Sequence, residues 1–365
     1  MKITMNYRYF SVISLLTLFP LLTQGQEYSE KRTYSKTIRV NREMTLEVNN
    51  KYGNIHITPW RTDSLSVRVE VDAFAQNRDR LARMFQGIDI DISETDYLVR
   101  AQTDFSQSIT MLFESFKGMT KKIIPYESSI RINYFINAPE YLSMNIINRY
   151  GDVYAEDNSG TFTLDLSNGS FKANSLNRVK NLELNFCDAT INRINSGEIN
   201  VSFSEMVIGE AQDLTINSIS SRFNIARAEI IQTESRRDKF FIGKAGTLRG
   251  DSYFTDFRID ELSKELNIST KYGSLNADMI DKSIELVTIN SGFTDISLVF
   301  DPVLSYNLDI RHVNAFVVLP QKDSKIEKKA VNEENKEYMT FGRVGRNPGS
   351  LKVFIDANRG NIHLK

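Results

Sequence analysis

The chain has 365 residues, 41% of them hydrophobic, so it can build one long domain or two ordinary ones. Its 45 Lys and Arg residues are balanced by 46 Asp and Glu residues, which argues against a nucleic-acid partner, because such proteins carry a surplus of positive charge. The single cysteine, Cys187, excludes an internal disulfide.

The first 25 residues predict a secretory signal peptide. Lys2 and Arg8 precede an apolar run over residues 9–22, and the small residues Thr23 and Gly25 precede an expected cleavage before Gln26. The run is shorter than the roughly 20 apolar residues that span a bilayer. No second apolar span follows, so we expect an exported protein, in the periplasm or on the outer cell surface, with no transmembrane segment in the mature chain.

Residues 26–145 form an N-terminal region in which several segments alternate apolar and polar residues as β-strands do. The stretch QNRDRLARMFQG at 76–87 predicts a short helix with Leu81, Met84 and Phe85 on one face. We expect this mostly β region to cap the repeat that follows, since exposed strand edges need to be covered.

Within that region, residues 105–122 predict an unusually apolar loop. Six of its side chains are candidates for partner contact: Ile109, Met111, Leu112, Phe113, Phe116 and Met119. Such a loop either folds back on its own domain or contacts a partner or a membrane surface, and the sequence leaves both interpretations open.

A short pattern recurs along the chain: NKYGNIHI at 50–57 returns as NRYGDVYA at 148–155 and TKYGSLNA at 270–277. With Gly151 as an anchor, nine equivalent anchors follow at steps of 17–21 residues, ending at Asn314. The residues two and four positions after each anchor are apolar at all ten anchors. A second apolar column, five positions before the anchor, fails only at Thr233, Gly250 and Asp309.

These two columns predict two short strands per repeat. One repeat cannot bury its inner face, but stacked repeats can, each adding a rung at the strand spacing of about 4.8 Å. We therefore predict an all-β protein in which residues 146–320 form a parallel β-solenoid of about ten rungs of 17–18 residues. We expect a right-handed coil from the general handedness of parallel crossovers. The aromatic residues expected inside are Phe171, Phe223, Phe240, Phe257 and Phe316.

Two features lie outside the predicted solenoid of residues 146–320. The pattern around Gly53, with Val48, Ile55 and Ile57 inward, predicts an isolated rung. Residues 321–338 are charged and nearly free of apolar side chains, which predicts a solvated loop before closing strands at 339–365.

The alternating segments, the YG-[ND]-[IV] rungs and the final GNIHL together resemble the putative-adhesin family of exported bacterial β-strand-repeat proteins, which is related to the head domain of putative autotransporter adhesins. The resemblance covers about residues 35–365 and rests mostly on those rungs. It implies a β-solenoid in the cell envelope, and it implies no catalytic residues.

The sequence offers little catalytic chemistry. The only histidines are His56, His312 and His363, and no phosphate loop, metalloprotease motif or dinucleotide fingerprint is present. Cys187 occupies an anchor position, where a small corner residue is expected. We therefore expect no catalytic residues, no metal and no cofactor.

The position before the anchor is aromatic in six of the ten rungs. These six residues are the candidate ligand or partner surface: Tyr150, Phe186, Phe203, Phe254, Tyr272 and Phe293. Their parity is opposite to that of the inward columns, so we expect them to point outward. They form either a stacked ladder that covers the corner or a surface that stacks against a glycan.

The favoured function is a non-catalytic cell-envelope protein, an adhesin-like or structural binding module that presents an extended face. Its partner would be an envelope glycan or another envelope protein. Two alternatives remain open: a carbohydrate-active enzyme on the same scaffold, and a periplasmic sensor or partner protein that uses residues 105–122.

Overall fold

The computed structural model of the protein describes residues 28–107, 128–321, 323–346 and 351–365. About 76% of the residues in the structure are in β-strands and 3% are in helices. The predicted signal peptide lies outside the described residues, and so do the six apolar candidates of loop 105–122. Among the described residues, no helix is both long enough and apolar enough to cross a membrane.

The strands fall into three groups along the chain. The N-terminal strands are β1 (Tyr28–Arg39), β2 (Thr45–Lys51), β3 (Ile55–Pro59), β4 (Ser64–Ala75), β5 (Ile88–Glu94), β6 (Leu98–Phe105), β7 (Ser128–Ala138) and β8 (Ser143–Arg149). The long central strands are β9 (Val153–Ser167), β10 (Ser170–Asn185), β11 (Asp188–Ser202), β12 (Glu205–Ile219), β13 (Arg222–Arg236), β14 (Lys239–Tyr253) and β15 (Asp256–Lys271). The C-terminal strands are β16 (Ser274–Ile280), β17 (Leu286–Gly292), β18 (Asp295–Phe300), β19 (Tyr306–Val318), β20 (Ser324–Asn332), β21 (Glu337–Val344) and β22 (Lys352–Leu364).

The described residues form two compact units. The smaller takes in residues 28–32, 71–89, 104–107 and 128–131, and the larger takes in the rest. The smaller unit contains helix α1 (Arg78–Gln86), which begins where the Asn77 side chain accepts a hydrogen bond from the backbone N–H of Arg80 at 2.8 Å. Leu81, Met84 and Phe85 are buried, as the sequence predicts.

The larger unit is the predicted parallel β-solenoid, with about nine turns. Each of β9 to β15 runs from one corner to the next and pairs in parallel with the strands of the rungs before and after it. The two predicted short strands are segments of one long strand, because hydrogen bonding to neighbouring rungs continues through the bend between them. Phe223, Phe240 and Phe257 stack inside, with ring centroids 4.6 and 5.0 Å apart.

The rung around Gly53 is part of the stack, and the prediction that it is isolated is wrong. Strands β2 and β3 pair with β8 and β9, so that Val48 lies beside Ile146 and Ile55 beside Val153. On their other side, β2 and β3 pair with β6 and β7. Repeat spacing could not reveal these contacts, because they join segments that are far apart in sequence.

The C-terminal end differs from the predicted continuous solenoid. Strand β22 inserts between the rung of β17 and β18 and strand β19, pairing in parallel with both sides. Strand β19 is displaced by one residue from the predicted register, so that Ile310 is buried where Asp309 was expected. A one-residue displacement reverses every side chain in a strand, and Phe316 is accordingly 63% exposed and not inside.

The charged segment 321–338 is not a loop along most of its length. Strand β20 pairs antiparallel with β21, which pairs antiparallel with β19. The segment has no core face to fill, so its low apolar content does not prevent a strand. Charged residues such as Lys325, Lys328 and Lys329 are typical of strands at the edge of a sheet, where they oppose aggregation.

Candidate ligand-binding surface

Each rung turns at a corner where one residue has a left-handed backbone conformation. Twelve corner residues have φ between 50° and 65°: Tyr52, Tyr150, Asn168, Phe186, Phe203, Ser220, Arg237, Phe254, Tyr272, Phe293, Asn314 and Arg359. The corners are tied together by the backbone. The N–H of Phe186, for example, donates to the carbonyl of Ser202 in the next rung at 3.1 Å.

We call the seven aromatic corner residues the corner stripe: Tyr52, Tyr150, Phe186, Phe203, Phe254, Tyr272 and Phe293. The six residues named from the sequence are all exposed, with 42–60% of their surface accessible. Tyr52 is half-buried and was missed because its rung was taken to be isolated, although NKYG carries the same signal as NRYG.

The corner stripe consists of three separate stacks. Tyr52 lies 5.5 Å from Tyr150, and Phe186 lies 5.0 Å from Phe203, measured between ring centroids. The third stack joins Phe254, Tyr272 and Phe293 with centroid separations of 4.9 and 5.0 Å. The guanidinium of Arg359 covers its end, 4.9 Å from the Phe293 ring.

The backbone at the corners does not favour aromatic residues. A left-handed conformation costs an ordinary residue roughly 1–2 kcal/mol, whereas Gly and Asn adopt it readily. Asn168 and Asn314 turn the chain at two corners, so the turn itself needs no ring. A stacked pair contributes about 0.5–1.5 kcal/mol beyond its buried area, which is no more than the backbone cost. Half-exposed rings also bury less apolar surface than inner rings do, so stability gives the aromatic residues less advantage at these corners than inside the solenoid.

A groove of about 800 Å³ lies beside the corner stripe, on the outward face of strands β10 to β14. One row of its lining stands four positions before successive anchors: Glu183, Asn200, Asn217, Glu234 and Asp251. A second row stands two positions before the same anchors: Asn185, Ser202, Ile219, Arg236 and Tyr253. The residues of the second row directly precede the corner residues, so the groove borders the stripe. The groove was not predicted from the sequence, although the polar residue in the first row of all five rungs is a usable signal.

Side-chain amides form a ladder along the groove. The Asn217 amide donates to the Asn200 oxygen at 3.0 Å, and the Asn200 amide donates to the Asn181 oxygen at 2.8 Å. The Asn217 amide has a second N–H and an oxygen with which it can bind hydroxyl groups. The charged residues of the lining are Glu183, Glu234, Arg236 and Asp251, so the groove is acidic.

His56 and Cys187 both lie in surroundings that disfavour their charged forms. No group of three or more metal-binding side chains occurs within the described ranges. His56 is stacked between Phe135 and Tyr154, and burial lowers its pKa more than Asp152 raises it. Cys187 is buried at its anchor position, and burial raises the pKa of its thiol, which disfavours the reactive thiolate.

No family model and no curated protein matches the sequence. Among solved structures, the chain is similar to a putative cell adhesion protein from Clostridium sporogenes, with 11% identity, a TM-score of 0.20 and coverage of 92% of this chain and 100% of that one. It is also similar to a putative adhesin from Bacteroides fragilis, with 10% identity, a TM-score of 0.26 and coverage of 92% and 98%.

A third similar structure is a putative adhesin from Parabacteroides distasonis, with 10% identity, a TM-score of 0.29 and coverage of 91% and 97%. Two of these three structures are named as putative adhesins and one as a putative cell adhesion protein.

Proposed function

We propose that this protein is a non-catalytic, adhesin-like binding module of the cell envelope that holds its ligand along the corner stripe. One observation carries the proposal: aromatic side chains that are about half exposed occupy corners whose backbone disfavours them. Exposed aromatic residues flanked by polar groups are typical of surfaces that bind a ligand. The predicted signal peptide supports export, and the neighbours named as adhesins fit the same role.

A cell-binding assay tests the proposal. Fluorescently labelled protein should bind intact bacterial or host cells saturably, and the double variant Phe186→Asn/Phe203→Asn should bind at least about tenfold more weakly. Asn suits the left-handed corner, so the double variant should fold. Tyr97→Asn is a matched control, because Tyr97 is 66% exposed but lies in the turn between β5 and β6, away from the corners.

Two outcomes would count against this function. Equal cell binding by the parent and the folded double variant would remove the corner stripe as the ligand surface. Complete protection of the protein during protease treatment of intact cells would place it in the periplasm and favour the sensor alternative.

The acidic row of the groove favours a second candidate, a carbohydrate-active enzyme. Glu234 and Asp251 are register partners on neighbouring strands, about 4.8 Å apart along the stack. Adjacent side chains of this kind favour comparison with retaining glycosidases, whose two carboxyl groups lie roughly 5–5.5 Å apart. However, both residues project from one sheet face, whereas glycosidase carboxylates flank the scissile bond. Release of new reducing ends from a bound glycan, abolished by Glu234→Gln, would establish the enzyme.

A further inference from the structure

We infer that the groove beside the corner stripe binds an uncharged polysaccharide, laid along the stacking axis of the rungs. The inference rests on the proposed function and names its ligand class. It starts from the repeat of the groove: five consecutive rungs each contribute one first-row residue, at a spacing of about 4.8 Å. A site that repeats in steps of this size suits a ligand that also repeats, as a chain of sugars does.

The aromatic residues lie toward the two ends of the groove. The Phe186 and Phe203 stack borders its first rungs, and Tyr253 with the Phe254 stack borders its last. Between Phe203 and Phe254 the corners are Ser220 and Arg237, which leaves a gap of three rung steps, or about 14 Å. Sugar rings present C–H groups that stack on aromatic faces, which are electron-rich. The two ends can therefore each hold a sugar of one short chain.

The first row of the groove supplies hydrogen-bonding groups, both in the two rungs without a corner ring and in the rungs on either side of them. Asn200 and Asn217 present amides held in place by their ladder. Glu234 and Asp251 present carboxylates, which accept hydrogen bonds from neighbouring hydroxyl groups. Aromatic faces combined with amides and carboxylates suit a ligand that is rich in hydroxyl groups and has flat apolar faces, and this combination describes a polysaccharide.

The charge of the groove selects among polysaccharides. Three carboxylates of the lining, on Glu183, Glu234 and Asp251, outnumber two cations, Arg236 in the lining and Arg237 at the bordering corner. A chain of uronic or sialic acids would bring like charges into the groove, and like charges in contact are strongly unfavourable. Nucleic acids are disfavoured for the same reason. The ligand is therefore an uncharged glycan.

A binding panel tests the inference. The purified protein is titrated with size-matched neutral polymers (a β-glucan, a galactan and dextran) and anionic polymers (polygalacturonate and hyaluronan). At least one neutral polymer should bind, and its oligosaccharides should bind more tightly with length until they span the groove. Asn217→Ala and Phe203→Asn should each weaken that binding about tenfold or more with unchanged melting temperatures.

A matched control comes from a second amide ladder. Asn192 donates to the Asn174 oxygen at 3.1 Å, and both residues are exposed and lie outside the groove, so Asn192→Ala should bind like the parent. The double variant Glu234→Gln/Asp251→Asn should gain binding to an anionic polymer, because uncharged amides replace the carboxylates that repel it.

The outcomes separate the inference from the proposed function. Preference of the parent for the anionic polymers, or no neutral polymer bound while cell binding still depends on Phe186 and Phe203, would overturn the inference and leave the function standing. Neutral-glycan binding that is indifferent to Asn217 and Phe203 would also overturn it. If the parent binds neither glycans nor cells through the corner stripe, both proposals are overturned.

Discussion

Two aromatic stacks come together at one rung, where Phe254 and Phe257 lie three residues apart, and they have almost the same geometry. Phe223, Phe240 and Phe257 stack inside the solenoid, and Phe254, Tyr272 and Phe293 stack at its corner, all with centroid separations of 4.6–5.0 Å. The first stack is fully buried, whereas the second is 43–49% exposed in a left-handed backbone.

The comparison shows that stacking in this protein follows from the rung repeat and not from burial. Like residues at equivalent positions of successive rungs come into contact wherever they point. The two stacks differ in how much each contributes to the free energy of unfolding. The inner rings remove apolar surface from water, while the corner rings remove less of it and incur a backbone cost.

The largest effect is expected for the inner stack. Phe223→Ala deletes a buried ring between neighbours, and a Phe-to-Ala change in a core costs about 3–5 kcal/mol. Chemical denaturation should show a loss of this size in the free energy of unfolding. A variant that unfolds like the parent would mean that Phe223 is not in the core and that the inward columns are misassigned.

A much smaller effect is expected at the corner. Tyr272→Asn removes two stacking contacts but relieves the left-handed strain, so the free energy of unfolding should change by less than about 1 kcal/mol. Ligand binding should nevertheless fall. A loss of several kcal/mol at unchanged binding would instead establish the corner stripe as a structural ladder.

Phe316 tests the corrected register of β19. The sequence places Phe316 with the inner stack, but in the structure it is 63% exposed and only tilted against His363, 6.5 Å away. Phe316→Ala should therefore change the free energy of unfolding by about 0.5 kcal/mol or less, as surface substitutions do. Destabilisation comparable to that of Phe223→Ala would restore the register inferred from the sequence.

The smallest effect is expected at Cys187, where the buried side of the corner meets the exposed side: its thiol should not react in the folded protein. Phe186 is 60% exposed, while its neighbour Cys187 is buried with a raised thiol pKa. Iodoacetamide at pH 8 should leave Cys187 unmodified in the folded protein and alkylate it in denaturant, as mass spectrometry would detect. Rapid alkylation of the folded protein would show that the corner opens.

The proposed binding surface was only partly predictable. The six exposed aromatic positions followed from their parity relative to the inward columns, because successive side chains of a strand point to opposite faces. The groove was not found, because it consists of side chains from five rungs that become neighbours only when the rungs stack in register. The left-handed corners were likewise invisible, since Tyr and Phe are residues that this backbone region disfavours.

The sequence by itself determined the β-solenoid and its inner columns, since alternation and the repeat length are local properties of the chain. Only the tertiary structure decided the order of the rungs: that β2 and β3 join β8 and β9, and that β22 enters between β18 and β19. The physical reason is that every parallel edge of the stack offers similar backbone hydrogen bonds. The choice of partner therefore depends on the packing of distant segments, which a periodic pattern cannot encode.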